Sequence, residues 1–140
     1  MPTSVSNTSK GLGRILVLVY ALLAIAATGR SVFQVITDFE KAPLAYSLSA
    51  LAGLIYIVAT IALIAPGTAW YRVAVVTISF ELIGVLVVGT LSLIDPVLFP
   101  AKTVWSVFGR GYLFIPLLLP IVGLAWLWMN RPAKARNAAL

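Results

Sequence analysis

Four long apolar stretches, at about 15–36, 44–64, 70–94 and 112–129, constrain this chain more than any other feature. Each holds roughly 18–25 residues, enough for a helix to cross a ~30 Å hydrocarbon core at 1.5 Å per residue. Hydrophobic residues fill 61% of the 140 positions and charged ones only 10%. A soluble domain runs near half apolar and a quarter charged. The chain therefore reads as an all-α polytopic membrane protein with four transmembrane helices in an antiparallel bundle. Ala65-Pro66-Gly67-Thr68 is a helix stop and a tight turn, Asp95-Pro96 ends the third span, and Asn130-Arg131-Pro132 follows the fourth. Residues 1–9, polar and rich in Ser and Thr, are expected to be disordered. The membrane domain then covers 10–129, and 130–140 form a basic tail.

Missing residue types narrow the chemistry. The chain has no Cys and no His, which removes thiol chemistry, the usual zinc and haem ligand and the commonest general base. The four acids, Asp38, Glu40, Glu81 and Asp95, are too scattered to form a di-metal site. No catalytic set, metal or cofactor is expected, and the chain does not read as an enzyme.

The net charge is +6, and its location explains it. One side of the expected topology carries Lys10, Arg14, Arg72, Arg131, Lys134 and Arg136 and no acid. On the other, Lys41, Lys102 and Arg110 balance Asp38, Glu40 and Asp95, while Arg30 and Glu81 cancel inside the spans. Lys and Arg gather on the cytoplasmic side of membranes, so both termini are expected in the cytoplasm and the protein in a bacterial inner (plasma) membrane. Nucleic acid is not needed to account for the charge. The basic flank of the first stretch, with Ala24-Ile25-Ala26 as a small-residue site, also fits a cleaved signal peptide. Apolar character continues past that site, which favours a retained span.

Glu81 is the most informative residue. It lies about 16 Å along its span from Trp70, near the bilayer midplane, where a lone carboxylate costs at least ~2.5–3.5 kcal/mol. It serves either as a structural hydrogen-bond or ion-pair partner, or as the proton or cation site of a small homo-oligomeric transporter or channel. No second midplane acid exists to form a relay, which favours the structural role. Arg30 is the candidate partner, with Gln34, Tyr56 and Thr77 as polar neighbours. Breaking a buried pair costs ~3–5 kcal/mol, so Arg30→Ala is expected to destabilise far more than Lys134→Ala. Ala45, Ser49 and Gly53 on the second span, and Ala74, Thr77, Glu81 and Gly84 on the third, mark close helix contacts. Pro116 and Pro120, one turn apart, are expected to kink the last span.

The outer loop 95–111 is long for so small a protein. It carries Phe99, Trp105 and Phe108, and Val104, Trp105 and Phe108 are spaced to share a helical face. This pattern reads as an interfacial segment at the outer headgroup level, aromatic side down. Asp95, Trp105, Phe108, Arg110 and Tyr112 are its candidate contacts with lipid or a partner. Arg110, with the amides opening the fourth span, is suited to a lipid phosphate or another anion. Trp126 and Trp128 read as an aromatic belt at the opposite interface.

Several stretches together resemble a group of small integral membrane proteins from actinobacteria. They are Gly29-Arg30-Ser31, Ala42-Pro43-Leu44-Ala45-Tyr46-Ser47-Leu48-Ser49-Ala50, Glu81-Leu82-Ile83-Gly84-Val85-Leu86-Val87-Val88-Gly89-Thr90, Leu91-Ser92-Leu93-Ile94-Asp95-Pro96 and Val104-Trp105-Ser106-Val107-Phe108-Gly109-Arg110-Gly111-Tyr112. The resemblance runs over about 15–128. It implies four membrane-spanning helices and brings no mechanism with it. The leading functional expectation is a non-enzymatic accessory or interaction subunit of the cell envelope. Its partners would be the lipid bilayer and, through loop 95–111, lipid, another membrane protein or a second copy. The transporter reading through Glu81 is the alternative. A lipid-headgroup enzyme using Asp95, Arg110 and Tyr112 comes third.

Overall fold

The computed structural model describes residues 3–95, 97 and 102–131, with 3–9 as backbone only. Its elements are all helical. Helix α1 (Thr3–Asp38) runs into a 3-10 turn (Phe39–Lys41), followed by α2 (Pro43–Ile64) and α3 (Thr68–Ile94). A second 3-10 segment (Ser106–Tyr112) then precedes α4 (Ile115–Met129). The stretch expected to be disordered is helical from Thr3 onward. Extending a nucleated helix adds one hydrogen bond per residue fixed, so the apolar span carries its polar flank into helix. Phe99, Lys134 and Arg136 lie outside the described residues.

Three helices, taken from Lys10–Lys41, Pro43–Ile64 and Thr68–Ile94, are long and apolar enough to cross a membrane. A fourth crossing exists by length only if Ser106–Tyr112 and Ile115–Met129, bent by 98°, count together. Helix α4 has 15 residues, about 22 Å, which is short of the hydrocarbon core. The uninterrupted last span expected from 112 is therefore corrected. Leu113 and Phe114 take left-handed φ values of 59° and 61°, which no helix continues through. Pro116 sits in the first turn of α4, where a fixed φ and a missing N–H suit a helix start. It opens the helix rather than kinking it, and only Pro120 lies inside.

Short connections make α1 and α2, and then α2 and α3, antiparallel neighbours. The α1–α2 contact is the most extensive, and α3 also packs against α4 and the second 3-10 segment. Small side chains permit this. A Cβ on Gly53 would stand 3.1 Å from Thr28 Oγ1 and 3.3 Å from the Thr28 backbone nitrogen. Ala27, Ala52, Ala59 and Ala74 are fully buried around Tyr20, Tyr56, Ile78 and Val85. Helices in lipid gain nothing from the hydrophobic effect between themselves, so close backbone approach and polar contacts must hold them together. The outward faces are apolar as well: Ile25 is 73% exposed, and Val76, Ile83 and Leu54 are also bare. Water penalises such a surface and lipid solvates it.

Helix α4 returns to the end of the body where α1 begins. The Leu127 carbonyl accepts a 2.8 Å bond from the Tyr71 hydroxyl, and the Trp126 ring lies against Gly13. The opposite end carries both 3-10 segments. There Lys41 and Asp38 form a 3.2 Å ion pair, the only one among the described residues.

A buried Tyr–Glu–Tyr–Trp cluster and the cap it holds

Four elements meet at Glu81. The side chain is fully buried, and its Oε1 accepts a 2.6 Å hydrogen bond from the Tyr20 hydroxyl of α1. Its Oε2 has no partner among the described residues. The Tyr20 ring is tilted against that of Tyr56 on α2, with centroids 6.2 Å apart. The Tyr56 hydroxyl in turn accepts a 3.0 Å bond from Trp105 Nε1. Gly123 of α4 closes the far side: a Cβ there would lie 3.6 Å from the Tyr20 oxygen. The inward orientation expected of Glu81 is present. Its partner is different.

Arg30 does not pair with Glu81. It is exposed and makes no ion pair among the described residues. The reason is depth. Tyr20 is the α1 residue level with Glu81, and the rise from Tyr20 to Arg30 is about 15 Å, nearly three turns. An arginine side chain does not span that distance. Gln34, one turn further, is more remote still, and its buried Oε1 has no partner among the described residues. Thr77 is half-buried and makes no side-chain hydrogen bond with them. Tyr56 belongs to the cluster as expected.

The segment 102–114 caps the helices by entering between them. Trp105 is 2% exposed, so the expectation of an interfacial aromatic in contact with lipid is overturned. Its ring lies over Gly84, where an added Cβ would come within 2.7 Å. The Phe108 ring, half-buried, covers Gly89 in the same manner. Backbone bonds complete the seat. The Val104 N–H donates to Ser49 Oγ at 3.2 Å and the Val107 N–H to Ser92 Oγ at 2.8 Å. Thr103 and Ser106 link their hydroxyls at 3.0 Å. Val107, Phe108 and Gly109 all have positive φ. A Cβ on Gly109 would lie 2.7 Å from the Pro116 ring, so glycine is required there twice over. Side chains rarely adopt such angles, and a segment this strained persists because many contacts fix it.

Beside the cap lies a groove of about 290 Å³, lined by Arg30, Lys102 and Arg110 with Thr103, Ser106 and Tyr112 among its other walls. No acid lines it, and Asp95 is exposed and apart from it. Arg110 and Tyr112 are thus joined by Arg30 and Lys102, which loop reasoning alone did not bring together. Compared with family models, curated proteins and solved structures, the chain matches none. The length and apolar character of the helices point to a membrane protein.

Proposed function

We propose that the chain is a non-enzymatic accessory subunit of a bacterial inner membrane, with segment 102–114 as its contact element. The observation that carries this reading is the two-sided construction of the cap. Its inner side is fastened by Trp105, Val104 and Val107 to Tyr56, Ser49 and Ser92. Its outer side presents Leu113 at 80% exposure and Phe114 at 43%, both in left-handed backbone. A rigid seat under an exposed apolar tip is suited to holding a contact surface in one orientation. The Lys and Arg count supports cytoplasmic termini and an outward-facing cap. The enclosure of Glu81 by Tyr20 and by the Tyr56–Trp105 pair supports a structural use of that carboxyl.

Site-specific photo-crosslinking in intact cells tests the reading. A photoreactive residue at Leu113 should give a protein adduct of one discrete mass, and the same residue at Ile25 on the α1 exterior should give none. A protein that yields no adduct at Leu113, and stays alone through gentle detergent extraction, is not an accessory subunit.

A further inference from the structure

Arg30, Lys102 and Arg110 converge on one groove from two separate parts of the chain. None of the three is in an ion pair among the described residues. The acid nearest in sequence to Arg30, Asp38, is already tied to Lys41. Three exposed like charges with no counter-charge beside them give the groove a positive field that an entering anion meets from three sides. The position is informative too. Arg30 lies about 15 Å along α1 from the level of Tyr20 and Glu81, which is half the thickness of a ~30 Å hydrocarbon core. With Glu81 at the midplane, the groove opens where lipid phosphates lie.

We infer that this groove binds one phosphoryl group, that of an anionic phospholipid headgroup. The two guanidiniums offer paired donors that match phosphate oxygens, and Lys102 adds a point charge. The bonds joining Thr103 to Ser106 and to the Trp105 N–H hold the wall rigid. A volume of about 290 Å³ is at the small end of ligand pockets, room for a headgroup while the acyl chains stay in the bilayer. A zwitterionic headgroup is disfavoured, because its own cation would meet three others.

The inference rests on the reading of the cap as a contact element, but it has a separate readout. The full chain in detergent is titrated with phosphatidylglycerol, with phosphatidylcholine and with inorganic phosphate, and retained ligand is counted by native mass spectrometry. Phosphatidylglycerol should bind at least about tenfold tighter than phosphatidylcholine. Each arginine removed should weaken it roughly fivefold, and Arg30→Ala with Arg110→Ala more than tenfold. Lys41→Ala, a cation at the same end but outside the groove, should bind as the parent does. Arg30→Gln and Arg110→Gln, tested singly, replace the double variant if it fails to fold. Inorganic phosphate that displaces the lipid at similar concentration, and weakens in the same variants, keeps the phosphoryl site and makes free phosphate its source. Lipid retention indifferent to both arginines, or weakened equally by Lys41→Ala, overturns the site. A crosslink from Leu113 is unaffected by that failure, so the two readings fall separately.

Discussion

Among the described residues, Glu81 has a single hydrogen-bond donor, the Tyr20 hydroxyl. Tyr20→Phe removes it and leaves a buried carboxyl with no partner among them. Hydrogen bonds between helices in membranes are worth about 0.6–2 kcal/mol, so that loss should appear as a comparable drop in stability in mixed-micelle unfolding. Tyr20→Phe combined with Glu81→Leu should recover most of it, since an apolar pair leaves nothing unsatisfied. A double variant no better than Tyr20→Phe alone would mean that Glu81 has a second partner. Arg30→Ala should lie within about 0.5 kcal/mol of the parent in the same measurement. That outcome reverses the buried-pair expectation and follows from the exposure of Arg30. The true partner was legible in principle. Counting from the basic flank, Tyr20 lies about 15 Å above Lys10, and Glu81 about 16 Å above Trp70, so the two share a depth. Reading Tyr20 as one more apolar residue of the first stretch, 15–36, hid its hydroxyl.

At the scale of elements, the cap depends on glycines that it does not contain. Gly84 and Gly89 on α3 leave the hollows that the Trp105 and Phe108 rings fill. Gly84→Val should push Trp105 out of its seat at a cost of about 1–3 kcal/mol, as overpacking does. Trypsin cleavage after Lys102 and Arg110 reports this directly, because a looser cap is open more of the time. Cutting should accelerate about tenfold or more in detergent, and an unchanged rate would show that Trp105 does not anchor the segment. Small residues at Ala45, Ser49, Gly53, Ala74 and Gly84 announced the helix contacts, since their spacing is local and periodic. The course of 102–114 was not announced. An aromatic residue in a polar loop reads as interfacial, and only Gly84 and Tyr56, far away in sequence, turn it inward. Nor do Leu113 and Phe114 carry any mark of the break before α4, because neither is a residue that favours left-handed backbone.

For the molecule as a whole, membrane residence was plain from apolar length, whereas the number of crossings depends on one bend. The two ends of the described chain lie at the same end of the helical body, with Gly13 beside Trp126 and Leu127 bonded to Tyr71. If Ser106–Met129 serves as a crossing, Asn130 must share a membrane face with the 65–67 turn. If α4 merely dips in and leaves by the side it entered, Asn130 must share a face with Glu40. The chain contains no cysteine, so single replacements Glu40→Cys, Thr68→Cys and Asn130→Cys can be labelled without background. The proposed orientation, cap outward, rests on the Lys and Arg distribution. A membrane-impermeant maleimide added to intact spheroplasts should therefore label Glu40→Cys alone. Thr68→Cys and Asn130→Cys should react only after permeabilisation, and to a similar extent. Labelling of Asn130→Cys from outside would reduce the crossings to three, and reaction of Thr68→Cys from outside would invert the orientation.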